Sequence, residues 1–339
     1  MAPLSPLQAR PTADDDLARV ETALRAAAVT GDEFLTEVTS HLIPAGGKRL
    51  RPAFVIASAL ALNPQGAAPT AVTDEMVCGG VAVELVHLGS LYHDDVMDDA
   101  QTRRGIEAVN HRWGNLKAIL AGDFLLAKAS ELAASLGTEV ATLLAATIGR
   151  LCEGQVRELQ LIYDTSRTED QYFLAIGGKT AELYATSCRI GGLVAGVDSA
   201  TLECLSAFGL AYGTAFQIVD DVLDLVASDE QLGKPSGNDL REGVYTLPVI
   251  RMLANGHPVG DLLGQPLDDA QRDEARAVVV AGSEIATSVE TAQSYVSQAL
   301  DTLAPFDATA GVVGLRAAAS NLLGVLPPVT TGSPTADFS

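Results

Sequence analysis

Two aspartate clusters, each set in an apolar segment of helical period, constrain this chain most. The first is Leu91-Tyr92-His93-Asp94-Asp95-Val96-Met97-Asp98-Asp99. The second is Phe216-Gln217-Ile218-Val219-Asp220-Asp221-Val222-Leu223-Asp224-Leu225. On a helix, Asp94 and Asp98 stand at i and i+4, so their carboxylates share a face, with Asp95 on its edge. Asp220, Asp221 and Asp224 repeat the spacing. Like charges one turn apart weaken a helix, and burying an unpaired carboxylate costs far more. Neither segment contains a lysine or arginine to neutralise its acids. A cation must therefore come from outside, and a hard divalent ion with oxygen ligands fits. Mg²⁺ in particular binds through one or two carboxylates plus substrate phosphates. One such cluster alone reads most simply as a solvated helix end; two, far apart in the chain and each led by an apolar helix, do not.

The surrounding pattern is helical. Apolar residues recur at helical spacing over 81–97, 116–136 and 202–226, and no stretch sustains period-two alternation. Hydrophobic residues make up 47% of the 339, with only 5% aromatic, a balance that favours helix and suffices for a large core. Asn63-Pro64, Gly114-Asn115, Gly177-Gly178, Gly191-Gly192 and Pro235-Ser236-Gly237 read as breakers. The expected fold is all-α: a single bundle of about ten helices around a central cavity. It spans residues 13–326, between a flexible Pro-rich arm (1–12) and a disordered tail (327–339).

The net charge of −21 argues against a nucleic-acid partner, which requires Lys and Arg to neutralise phosphates. Cys78, Cys152, Cys188 and Cys204 are scattered without metal-ligand spacing, as expected of buried thiols in a reducing compartment. No signal pattern and no long uncharged apolar run is evident, so the expected location is cytoplasmic, with a greasy product as the only draw to a membrane.

Against this acidic background the basic segments complement the acids. Gly46-Gly47-Lys48-Arg49-Leu50-Arg51-Pro52 is a glycine turn followed by three cations. Glycines admit close approach of an anion, and arginine offers a planar fork to phosphate oxygens. Arg103-Arg104 follows the first acid cluster; Lys179-Thr180 follows Gly177-Gly178 at an expected helix start, where phosphate binds well; Lys234 follows the second cluster. An isolated basic pair is most simply a solvated face. Together with two acid clusters, these segments describe a site for two diphosphates, one held through metal and one held directly by cations.

From about Gly46 to Pro248 the chain resembles the trans-isoprenyl diphosphate synthases, with the motifs in family order: GGKRLRP, HDDVMDD then RRG, AGD, GGKTAEL, FQIVDDVLDL, GKPSGNDL and TLP. The resemblance implies that isopentenyl diphosphate condenses with an allylic prenyl diphosphate by ionisation, condensation and elimination. It implies Mg²⁺, three ions per site, on Asp94, Asp95, Asp98, Asp220, Asp221 and Asp224. It places isopentenyl diphosphate on Lys48, Arg51, His87 and Arg104, and the allylic diphosphate on Arg103, Lys179, Gln217 and Lys234, with Thr180 beside Lys179. His87 read alone is a satisfied core histidine; seven residues before Asp94, it lies two turns along the same face. Many family members carry a lysine where Val244 stands, so one cation near the allylic diphosphate is missing or replaced. A homodimer is likewise implied by the family alone. A class I terpene cyclase would lack GGKRLRP, and a non-catalytic partner subunit usually has degraded aspartate motifs.

Product length is expected from the helix leading into Asp94. Family members with short products often carry an aromatic residue four or five positions before the first aspartate; here those positions are Ser90 and Gly89, with Val86 one turn further back. Small side chains there imply a product longer than farnesyl diphosphate, a medium- or long-chain polyprenyl diphosphate for a quinone side chain, with farnesyl or geranylgeranyl diphosphate as the alternative. The LYHDDVMDDA, NHRWGN and AGDF segments also resemble actinobacterial polyprenyl synthases.

Overall fold

The computed structural model describes residues 4–8, 10–61, 71–232 and 235–327. Lys234, Asn63-Pro64 and the 328–339 stretch lie outside them. The described chain forms α1 (Ala13–Ala27), α2 (Glu33–Ser40), α3 (Leu50–Ala59) and α4 (Asp74–Met97). A minimal hairpin, β1 (Thr102–Arg103) and β2 (Ile106–Glu107), leads to α5 (Val109–Trp113), α6 (Asn115–Ser135) and α7 (Thr138–Leu159). Next come α8 (Glu169–Ile176), a π-helical turn (Gly177–Ala181), α9 (Glu182–Ala195) and α10 (Ser199–Val226). The remainder is α11 (Asp229–Leu232), α12 (Asn238–Glu242), α13 (Leu247–Ala254), α14 (Asp269–Ala281), α15 (Glu284–Thr302) and α16 (Ala310–Ser320). Sixteen helices replace the expected ten or so, partly because α5, α11 and α12 are of one turn or little more. The fold is an all-α bundle, as expected.

Side-chain caps set several helix starts. Thr73 accepts from Met76 N at α4, Asp198 accepts from Thr201 N at α10, and Thr168 with Gln171 forms a reciprocal capping box at α8. α10 is the central element. Among the described residues it alone is long and apolar enough to cross a membrane, yet most of it is buried in the bundle. Phe208 and Tyr212 on α10 pack with Phe54 of α3 and Tyr184 of α9; the Phe54 and Tyr212 rings are 4.5 Å apart.

Two expected breakers are not breaks. Gly191 and Gly192 lie inside α9, where small size serves packing: a Cβ on Gly191 would stand 2.2 Å from the Val55 carbonyl oxygen of α3. Gly177-Gly178 does not interrupt the helix either; the backbone widens into the π turn and runs on, so Lys179 and Thr180 sit within a continuous helix rather than at its start. Widened turns of this kind concentrate at functional sites. The hairpin was also unforeseen. Its loop is Arg104-Gly105, both with positive φ (54° and 77°), the pattern of a two-residue turn matched to strand twist. Within the 1–12 segment, Leu7 is fully buried, a contact that Pro-rich composition does not signal. Of the four cysteines only Cys188 is buried; Cys152 is exposed, against the expectation of buried thiols.

α10 crosses α9 at Gly209, where a Cβ would lie 2.5 Å from the Tyr184 carbonyl oxygen and 2.7 Å from Ala185 Cα. Both neighbours are backbone and cannot swing aside. Gly209→Ala is expected to destabilise the protein by about 1–3 kcal/mol, read as a lowered midpoint in chemical denaturation.

Candidate active site

Each acid cluster divides into outward and inward carboxylates, because consecutive residues on a helix point about 100° apart. In the first, Asp94 is half-buried near the end of α4 and Asp98 is its exposed C-cap, while Asp95 has no exposed surface. The Asp95 carboxylate receives Arg103 at 2.6 Å, and its other oxygen, Oδ2, has no hydrogen-bond partner. In the second, Asp220 is exposed, whereas Asp221 and Asp224 are buried. Asp221 accepts from Tyr172 Oη (2.6 Å) and from Gln217 Nε2 (2.7 Å), and Gln217 Oε1 accepts from Thr180 Oγ1 (2.7 Å). Asp224 Oδ2 accepts from Asp239 N. Of the six acids expected to share one metal-facing role, only Asp94, Asp98 and Asp220 face outward.

Among the outward acids, Asp94 is electrostatically perturbed. Burial pushes the Asp94 carboxyl up to about 6, with the Asp98 charge adding to it and Lys179 opposing. Among the inward acids, burial raises Asp221 to about 7 despite its hydrogen bonds to Tyr172 and Gln217. Among the described residues no three His, Cys, Asp or Glu side chains already converge as metal ligands. Asp94, Asp98 and Asp220 are the carboxylates that could hold a divalent cation here, with its remaining oxygen ligands coming from elsewhere.

The cations form a second group. Lys48 is exposed; burial of its surroundings lowers its pKa, and the Asp220 charge opposes that shift, which puts Lys48 within electrostatic reach of the second cluster. Arg51 stacks over the Tyr184 ring at 4.9 Å, and its buried Nε has no hydrogen-bond partner. Arg104 donates to the Gly46 carbonyl and lies 3.4 Å from His87 Nε2. His87 is pushed well below its ordinary value by burial and then by Arg51 and Arg104, so it is neutral at pH 7. Arg51, His87 and Arg104 thus come together, while Lys48 bears on Asp220 and Arg103 turns back onto Asp95. Lys179 sits apart from them and donates to Glu158 Oε1 at 2.5 Å. Val244, in the place of a possible lysine, is half-buried in the loop before α13. Gly89 faces α6, where a Cβ would meet the Gly122 carbonyl oxygen at 3.1 Å, so its smallness serves helix packing. Ser90 donates to the His87 carbonyl, and Val86 is fully buried. Tyr92 is fully buried and donates to the Val38 and Thr39 carbonyls, a packing residue as its position suggests.

Sequence reasoning did not single out Glu158, Tyr172, Glu21 or Glu84. Arg49, grouped with its basic neighbours in the sequence, has a different environment. It adopts a left-handed backbone (φ 44°) at the start of α3, and its side chain is buried between Glu84 (2.9 Å) and Glu21 (2.9 Å), also donating to the Ile43 carbonyl. Burial alone would lower its pKa; Glu21 and Glu84 together raise it. This trio, with Arg49 and Glu84 buried and Glu21 half-buried, fixes the backbone between Lys48 and Arg51.

A helical bundle with two acid-bearing helices and cations close to both defines an enzyme of the isoprenoid synthase class. Comparison with known proteins supplies the family: residues 32–281 match the polyprenyl synthetase family. The chain belongs to that family and is a prenyltransferase, a trans-polyprenyl diphosphate synthase. It is 40% identical over 294 residues to the nonaprenyl diphosphate synthase of Mycobacterium tuberculosis, covering 85% of this chain and 86% of that one. It is also 40% identical over 259 residues to the geranylgeranyl diphosphate synthase of Methanosarcina mazei, covering 74% and 76%. Among solved structures it resembles a polyprenyl synthase from Caulobacter crescentus, complexed with calcium and isoprenyl diphosphate. That likeness has a TM-score of 0.87 at 32% identity, over 95% of this chain and 98% of that one.

Removing Arg49 would leave Glu84 buried without its nearest counter-charge. Arg49→Ala is expected to destabilise by about 3–5 kcal/mol, measured by urea denaturation. A loss below about 1 kcal/mol would show that the trio does not anchor this turn.

Proposed function

We propose that the protein condenses isopentenyl diphosphate with an allylic prenyl diphosphate in the presence of Mg²⁺, extending an all-trans chain to medium or long length for a quinone side chain. The observation that carries this reading is the meeting of two sets of groups: the outward acids Asp94, Asp98 and Asp220, whose charges bear on Lys179 and Lys48, and the cations Arg51 and Arg104 around neutral His87. The first set suits a metal-borne diphosphate and the second a diphosphate held directly by cations.

Asp94, Asp98 and Asp220 would hold the metal, which when bound offsets the charge growing on the leaving diphosphate. Asp95 and Asp221 have inward roles instead, locking the Arg103 hairpin and the Tyr172–Gln217–Thr180 network. Lys179 contacts the allylic diphosphate. Lys48, Arg51, Arg104 and His87 orient isopentenyl diphosphate so that its double bond meets the allylic cation left when the C–O bond breaks. The new C–C bond forms, a proton leaves for the released diphosphate, and the lengthened allylic product stays esterified to the second diphosphate. Neutral His87 contributes a hydrogen bond without adding charge.

Product length rests on the α4 face that carries Asp94. Ser90 lies one turn before it and Val86 two turns, each turn about 5.4 Å, roughly one isoprene unit. The small Ser90 side chain supports passage of a growing chain. Gly89, turned toward α6, is set aside as a stop.

A homodimer is supported by one unpartnered face. Leu116 (79% exposed), Ile119 and Leu120 (63% exposed) form an apolar stripe on α6, with exposed Val156 and Leu159 on α7. Single exposed apolar residues are ordinary, but a contiguous stripe marks a docking surface. Leu120→Glu is expected to shift the protein from dimer to monomer in sedimentation velocity; an unchanged distribution would remove this face as the interface.

The direct test is incubation with isopentenyl diphosphate, an allylic primer and Mg²⁺, with products read by mass. Asp220→Ala should lower turnover by orders of magnitude, about 10²-fold or more, in folded protein. Ser90→Phe should shorten the product while leaving the first condensation intact. Wild-type product stopping at farnesyl diphosphate under excess isopentenyl diphosphate would overturn the length assignment.

A further inference from the structure

Glu158 is the acid that sequence patterns did not mark and that the site's charges converge on. α7 approaches the π turn at Gly154, where a Cβ would lie 2.4 Å from Lys179 N, and Gly178 in turn faces the Arg150 carbonyl at 2.9 Å. Two glycines thus let the backbones come together, and Glu158, one helical turn past Gly154, arrives beside the Lys179 side chain. The Glu158 carboxylate is 14% exposed and the Lys179 side chain 33%. Nζ and Oε1 are 2.5 Å apart, a charge-assisted contact. Burial alone would lower the Lys179 pKa; Glu158, followed by Asp94, raises it instead. The charge of Glu158 also reaches Asp94 and Asp221, one from each acid cluster.

The two cation sets differ in one respect. Arg51, in the isopentenyl diphosphate pocket, keeps a buried Nε without a hydrogen-bond partner. Lys179, in the allylic pocket, is already paired. The reaction assigned above treats the two diphosphates differently: one stays on the product, and the other must leave after every condensation. A lysine suits a site that must both grip and release, being a compact charge on a flexible stem.

We propose that Glu158 is a positioning residue that holds the Lys179 ammonium between turnovers and competes with diphosphate for it, so that the leaving diphosphate is released. The inference rests on the reading of Lys179 as an allylic diphosphate contact. In this arrangement Lys179 exchanges one anionic partner for another on binding, and Glu158 takes it back as diphosphate departs.

Calorimetric titration of the full chain with inorganic diphosphate in Mg²⁺ tests this without turnover. Glu158→Gln should bind diphosphate about tenfold more tightly, the scale of one charged hydrogen bond. Lys179→Met should bind it more weakly. In the Lys179→Met background, Glu158→Gln should have no further effect, because Glu158 acts through Lys179. Glu153→Gln, which removes an exposed charge from the same helix, should leave affinity unchanged. If Glu158→Gln does not fold, Glu158→Asp, which withdraws the carboxylate by one methylene, should tighten binding in the same direction. Equal tightening with and without Lys179 would reduce Glu158 to general repulsion and overturn the proposal. Unaltered affinity in Lys179→Met would overturn the Lys179 assignment itself. Weakened binding in Lys179→Met with no tightening in Glu158→Gln would overturn only the role of Glu158.

Discussion

Close backbone contact between helices underlies the rest of the molecule. α10 meets α9 at Gly209 and the end of the π turn at Gly213, and α7 meets the π turn at Gly154 and Gly178, each with backbone atoms where a side chain would otherwise stand. Interiors packed to crystal-like density transmit such constraints. With α9 clamped between α10 on one side and α3 at Gly191 on another, the Lys179 turn cannot drift relative to either acid cluster. A binding site for a highly charged substrate needs this rigidity, because its charges repel one another until the ligand arrives.

Charge is consequently sorted by depth. Arg49 pairs with buried Glu84 inside and with half-buried Glu21 nearer the surface, and Arg103 pairs with buried Asp95. Asp98, Asp220 and Lys48, by contrast, stand exposed. Buried ion pairs add little stability over apolar packing, but removing one partner is costly. The inner pairs therefore act as braces that hold backbone and hairpin in place, leaving the outer charges for the binding proposed above.

Much of this was legible in the sequence. The helices over 74–97, 115–135 and 199–226 follow apolar periodicity closely, and the motif order around Asp94 and Asp220 was enough to identify the family. The division of roles within each motif was not legible. Asp94 and Asp95 are the same residue type side by side, and only their surroundings separate them: Asp95 is fully buried against Arg103, whereas Asp94 is half-buried within reach of the Lys179 charge. Gly191-Gly192 has the composition of a loop, yet it is helical, because the sequence does not say which backbone lies opposite. Arg49 looked like one cation among three; its left-handed φ and its partners on α1 and α4 become visible only once distant helices are assembled. Glu158 was silent because an acid on an amphipathic helix is ordinarily a solvated one.

The π turn at Gly177–Ala181 has a consequence for how such chains can be compared and edited. A π turn holds one residue more than the α turn it replaces, so α8 and α9 are out of phase by roughly a quarter of a rotation relative to an unbroken helix. Deleting a single residue there would restore ideal helical geometry and improve local backbone hydrogen bonding. It would also swing Lys179 off Glu158 and carry every side chain of α9 to a new face. At this point in the chain a one-residue gap is a rotation of the scaffold, and regularity and function stand opposed.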